Sequence, residues 1–145
     1  MQQFDTISLA GHVQLVLRDA SGAIKKIISI HNAIETAGQN AITDQLLASP
    51  TLGKPTYIGV GTGTPVGGNL AAEVAREAID SKLRTDNVLT MVSLFEAGVG
   101  TGNLTEAGVY DADTSGNCLA TISLPSVLPK GSADTLEITW TWTIG

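Results

Sequence analysis

The chain has 145 residues, of which 43% are hydrophobic and 15% charged, with 14 acidic against 8 basic side chains and a formal net charge of -6. That length and balance predict one folded domain and exclude a disordered chain or a long coiled coil. An acidic chain without a basic patch binds phosphate backbones and anionic membrane surfaces poorly, so neither nucleic acid nor membrane is an expected partner.

No apolar run approaches the ~18 residues of a membrane-spanning helix. The opening MQQFDTISLA has neither a basic flank nor an apolar stretch, and no signal peptide is expected from it. A single cysteine, Cys118, excludes an intrachain disulfide and a cysteine-rich zinc site. Residues 1–10 read as a polar N-terminal arm and 11–145 as one domain.

Residues 12–19 alternate, with Val13, Leu15 and Leu17 on one face. The cluster Asp19-Ala20-Ser21-Gly22 follows, and then a second alternating run with Ile24, Ile28 and Ile30. Two such runs joined by a short glycine turn predict a β-hairpin. The period then changes: Ile42, Leu46 and Leu47, with Ala37, Ala41 and Ala48, predict one amphipathic helix over about 37–48, ended by Ser49-Pro50. Residues 56–60 form a short β-branched run, and 59–68 an irregular glycine loop. Residues 69–74 could make a single helical turn, and 76–84 alternate weakly. Residues 87–96 read as a strand and 97–103 as a glycine loop. Residues 104–110 and 118–124 are further runs, separated by the turn formers of 111–117. In the last segment Leu136, Ile138, Trp140, Trp142 and Ile144 take one face, and Glu137, Thr139, Thr141 and Thr143 the other. About eight strands with one short helix predict an all-β fold, an antiparallel, jelly-roll-like β-sandwich.

Few side chains stand in a pattern that chemistry would need. Gly59, Gly61 and Gly63 are spaced by two, with Pro65 interrupting and no following lysine, so the loop lacks a nucleotide-binding fingerprint and reads as a tight corner. Pairing about Gly22 should bring His12 close to His31, with Glu35 nearby in sequence. A metal site needs three or four ligands, and rim histidines are the plainer reading. No G-x-S-x-G frame occurs, and Cys118 has no neighbouring histidine, so it reads as a small apolar residue. Asp111 and Asp113 could pair as catalytic carboxylates or begin a calcium loop, D-x-D-x-S-G-N. The glutamate such a loop requires is missing at its expected place, and turn capping accounts for both residues. Glu73 and Arg76, three apart, allow a local ion pair that organises the fold. Trp140 and Trp142 are core by default. Their shared face on a terminal strand makes them, with Phe4, the candidate partner or oligomer contacts. No catalytic, cofactor-binding or metal-ligating residue is assigned.

Four segments stand in order along the chain. They are Tyr57-Ile58-Gly59-Val60-Gly61-Thr62-Gly63-Thr64-Pro65, Leu70-Ala71-Ala72-Glu73-Val74-Ala75-Arg76, Leu104-Thr105-Glu106-Ala107-Gly108-Val109-Tyr110 and, after Leu128-Pro129-Lys130, Leu136-Glu137-Ile138-Thr139-Trp140-Thr141-Trp142. From residue 11 onward the chain resembles small β-sandwich structural proteins and modules of tailed bacteriophages. In these a GxGT loop, an L-x-x-E-x-x-R turn, an E-A-G-(L/V/I)-(F/Y) strand and a closing L-x-(V/I)-T-W strand recur. The resemblance implies a non-enzymatic virion role, made in the host cytoplasm: a capsid decoration or cement subunit that binds the assembled shell. The alternative it implies is a tail-fibre or tail-associated receptor-binding or adaptor module. The implied partners are virion proteins, either major capsid protein or tail proteins, and further copies in a homo-oligomer. Glu73, Arg76, Glu106 and Gly108 match motif positions, and the resemblance implies an architectural role for each. A chain of this length standing alone, rather than as a module of a long fibre, favours an independent subunit.

Overall fold

The computed structural model describes residues 8–32 and 34–145. Among these residues the order is β1 (Leu9–Arg18), β2 (Ile24–Asn32), α1 (Thr36–Asp44), β3 (Tyr57–Gly61), β4 (Glu73–Ala78), β5 (Ser81–Thr85), β6 (Val88–Phe95), β7 (Gly102–Tyr110), β8 (Cys118–Lys130) and β9 (Thr135–Ile144). Two antiparallel sheets pack face to face. One runs β2-β1-β9-β6-β5 and the other β4-β3-β7-β8. This is the expected all-β sandwich with one short helix. Its core comes from alternate residues of the inner faces: Val13 and Leu15 on β1, Met91 and Phe95 on β6, and Ile138 and Trp140 on β9 meet Ile58, Leu104, Val109 and Leu128 from the other sheet, all fully buried. The β1–β2 hairpin forms as its alternation requires, with Gly22 in the left-handed region at φ 86°.

Among the described residues the strand count is nine, because the weakly alternating stretch 76–84 is two strands in different sheets. β4 pairs with β3, and β5 pairs with β6. The chain changes sheet at Ile79-Asp80, and four hydrogen bonds hold this corner. Ile79 N donates to Thr56 O (2.9 Å), Asp80 N to Val92 O (2.8 Å), Ser93 Oγ to Ala78 O (2.8 Å) and Leu94 N to Asp80 Oδ2 (2.9 Å). Residues 69–74 form no helical turn. Val66 and Asn69 exchange backbone hydrogen bonds around Gly67 and Gly68, both at positive φ, and β4 begins at Glu73.

The helix is shorter than its apolar spacing predicts. It stops at Asp44, whose carboxylate accepts from Thr51 N (2.9 Å), Thr51 Oγ1 (3.1 Å) and Leu52 N (2.8 Å), pulling the following loop across the helix end. Leu46 and Leu47 therefore project into solvent instead of extending the buried stripe. β8 runs past the expected residue 124 to Lys130. As an edge strand it accommodates Pro125 and Pro129, which cannot donate to a second neighbour. β1 begins at Leu9, so the last two residues of the expected arm belong to the sheet. Phe4 lies outside the described residues.

Candidate functional site

The outer face of the four-stranded sheet gathers most of the motif residues. On β3, Ile58 and Val60 face the core, so Gly59 and Gly61 face outward. Their neighbours across the β7 ladder are Gly108 and Glu106. Glycines leave a floor without side chains, and the loop from Thr62 to Ala72 folds down onto it. A β-carbon at Gly59 would lie 2.8 Å from Glu73 Oε2, and one at Gly61 would lie 2.5 Å from the Ala72 carbonyl and clash with Glu106 Oε2.

Glu106 is fully buried and holds that loop. Its Oε2 accepts from Gly63 N (3.0 Å) and Ala72 N (2.7 Å), and its Oε1 accepts from Ala71 N (2.8 Å). Thr105 Oγ1 donates to Gly63 O at 2.6 Å. Three amides converging on one carboxylate satisfy backbone donors that no strand pairs, and charge assistance strengthens each bond.

Glu73 and Arg76 form the expected ion pair, on a strand instead of a helical turn. Residues three apart in a regular strand point to opposite faces. Here Gly61 pairs with Glu73 while Val60 pairs with Ala75, so Val74 is an extra residue and the bulge returns Arg76 to the outer face. Arg76 Nε bonds Glu73 Oε2 at 2.7 Å and Nη2 bonds Oε1 at 3.0 Å. The guanidinium lies 3.5 Å above the centre of the Tyr110 ring. Its Nη1 donates to the carbonyls of Ala112 (2.8 Å) and Ser115 (2.9 Å). Arg76 thereby fastens the 111–117 turn to β4. Gly108 keeps this layer low, since a β-carbon there would sit 3.2 Å from the Tyr110 ring, from Cys118 Sγ and from the Ala120 carbonyl.

The other candidates fall apart from one another. Asp111 caps its own turn, accepting from Asn117 N (2.7 Å) and Asn117 Nδ2 (3.0 Å), while Asp113 is exposed and accepts from Thr114 Oγ1 at 3.4 Å. His12 and His31 are direct partners across the hairpin, with ring centres 4.9 Å apart, and His12 Nε2 shares a 2.7 Å hydrogen bond with Ser29 Oγ. Glu35 does not join them; its Oε1 accepts from Thr121 Oγ1 at 2.9 Å. Among the described residues no three His, Cys, Asp or Glu side chains cluster as a metal site would require. Burial pushes the Cys118 thiol up to about 11, so it is a protonated thiol at neutral pH rather than a nucleophile. Trp140 and Trp142 are 0% and 2% exposed. Both are core residues in the folded chain, which corrects their candidacy as surface contacts. The face they share points between the sheets.

Two features escaped sequence reasoning. Lys130 is 2% exposed, with Nζ donating to Asp134 O (2.7 Å) and Glu96 O (3.0 Å), and Asp134 Oδ2 accepts from Lys25 Nζ and Gly131 N, both at 2.7 Å. This network ties the β8–β9 connection to β2. Nothing in the local pattern around Lys130 marks it as buried. The second feature is a groove of about 550 Å³ between α1 and the β5–β6 hairpin, with Ile42, Leu89, Trp142 and Ile144 among its walls and Lys54, Lys82 and Arg84 also lining it. A smaller polar cleft of about 320 Å³, between the start of α1 and the turns at 67–69 and 116–118, includes Glu35, Asn69 and Asn117. Compared with protein-family models and with curated proteins, the chain matches none.

Proposed function

We propose that the chain is a non-enzymatic virion structural subunit of a tailed bacteriophage, a capsid decoration or cement protein that binds the assembled shell. The ordered motifs bring the reading. The observation that supports it best is what their side chains do: Glu73, Arg76 and Glu106 spend their charge on each other and on loop backbone. Such a layer serves a rigid platform. With both tryptophans in the core, the contact surface passes to the loop after α1, where Leu46, Leu47 and Leu52 are 86%, 57% and 42% exposed. Adjacent exposed leucines suit burial against a protein surface. A subunit that binds the assembled state better than free capsid protein stabilises the shell by mass action.

Immunogold microscopy of particles with antibody against this chain tests the reading. Gold over the head is the expected result, and shells lacking the chain should lose resistance to heat and osmotic shock. A Leu46→Asp/Leu47→Asp double variant should fold normally and fail to bind shells. Gold at the tail would transfer the proposal to the tail-fibre or adaptor module. Shells that keep full resistance without the chain would remove the cement role.

A further inference from the structure

We propose that the groove between α1 and the β5–β6 hairpin binds a small apolar carboxylate, a molecule with a hydrocarbon body and one acid group. The inference goes beyond the virion reading and is independent of it. Strand register gives the groove its two characters. Leu89 pairs with Trp142 across the β6–β9 ladder, and both line the groove, with Ile42 and Ile144 beside them. Met91 on β6 is fully buried between the sheets, and Leu89, two residues away, shares its face. The residues directly opposite these two on β5 are Lys82 and Arg84. Opposite residues of paired strands lie on one face. The edge strand therefore sets two cations on the inward side of the sheet, at the border of an apolar floor. Lys54, from the loop behind α1, lines the groove as well.

In a chain of net charge -6, three of the 8 basic side chains line this one groove, against one acid, Asp86. Lys82 Nζ donates to Pro55 O and Arg84 Nη1 to Asp86 O, both at 2.7 Å. Both acceptors are neutral carbonyls, and among the described residues none of the three bases forms an ion pair. Arg76 and Lys25, by contrast, are neutralised by Glu73 and Asp134. Trp142 and Gln45, both in the lining, also carry buried donors, Nε1 and Nε2, with no acceptor among the described residues. The unmet polar groups of this wall are donors and cations, and a carboxylate only accepts.

Size and composition fit the same class of ligand. The volume of about 550 Å³ lies within the ~300–1,000 Å³ of small-molecule sites, which combine apolar walls with a few polar groups. A bare inorganic anion would leave Leu89 and Ile144 uncovered. A neutral hydrocarbon would leave the cations without a counter-charge. A molecule with both parts lays its body on the floor and its acid group at Lys82 and Arg84.

The test is calorimetric titration of the full chain with decanoate, below its micelle concentration, beside decanol and decyltrimethylammonium. Decanoate should bind saturably at one site, about tenfold or more tighter than decanol, and the cation should not bind. Lys82→Glu/Arg84→Glu, on an exposed strand, should keep the native circular dichroism and weaken decanoate about tenfold or more. Arg18→Glu should leave binding unchanged, since Arg18 pairs with Thr135 at the other end of β9. In NMR spectra decanoate should shift the Trp142 indole N–H and the Ile42 and Leu89 methyl groups, leaving Val13 and Leu15 in place. Absence of saturable binding, equal affinity for decanol, indifference to the charge reversal in a folded variant, or shifts confined to other residues each overturns the proposal. If decanoate fails where an acidic peptide carrying phenylalanine binds, the groove belongs to a protein segment and the proposal falls.

Discussion

The outer faces of the two sheets solve the same problem differently. On the five-stranded sheet, β9 turns Glu137, Thr139, Thr141 and Thr143 outward, and all four keep contact with solvent. On the four-stranded sheet, Glu106, Gly108 and Tyr110 of β7 also point outward, yet they are buried. The first face is a single layer with water as its partner. The second carries a further layer made from its own loops, which glycines admit and which Glu106 and Arg76 fasten. A charged residue on an outward position is thus no guide to exposure once neighbouring positions are glycine.

Removing the fastener should separate the two faces most clearly. Glu106→Ala leaves three amides without their acceptor, and we expect a loss of about 3–5 kcal/mol in urea unfolding. Glu106→Gln should fall between Ala and wild type, since it keeps one acceptor oxygen but turns an amide NH2 donor toward backbone donors. Gly61→Ala adds only a methyl group, yet it meets Glu106 and the Ala72 carbonyl, and about 2 kcal/mol should go. If either substitution proves neutral, the covering layer contributes nothing to stability and the comparison fails.

The link between the sheets should answer to pH. The hydrogen bond from Lys25, with that from Gly131 N, holds the Asp134 carboxyl below its ordinary value of 3.8. Near that value the unfolded chain binds more protons than the folded one. The contribution is therefore complete above pH 3.8 and is lost as pH falls through the lower folded value. Asp134→Asn should flatten the acid limb of a stability–pH curve there. A smaller signal comes from Cys118, beneath the covered face. Its thiol should resist alkylation at pH 7 in the native chain and react on denaturation. Rapid native alkylation would mean that the cover opens. Least of all, Thr139→Val on the open face should change stability by no more than about 0.5 kcal/mol.

These differences track what a local pattern can express. The β1–β2 hairpin and β9 were legible because alternation with a glycine turn is a short-range property, and it also brought His12 opposite His31. The stretch 76–84 looked like one weak strand because the bonds that split it come from Thr56, Val92, Ser93 and Leu94. The helix looked longer because Leu46 and Leu47 keep helical spacing, while the stop is a contact from Asp44 to Thr51 and Leu52. Of the candidate site, the pairing of Glu73 with Arg76 was visible as a spacing. The bulge that makes it possible on a strand was not.

The amino-acid sequence by itself determined the two-layer all-β class, the β1–β2 hairpin and the one strand face that Trp140 and Trp142 share. Period-two alternation of apolar side chains leaves one economical way to bury them. Only the tertiary structure decided that the tryptophans face inward between sheets, that Glu106 caps a loop more than 30 residues distant in sequence, as its bonds to Ala71 and Ala72 show, and that Lys130 is buried among carbonyls. Each of those outcomes depends on partners that chain folding, and no local preference, brings together.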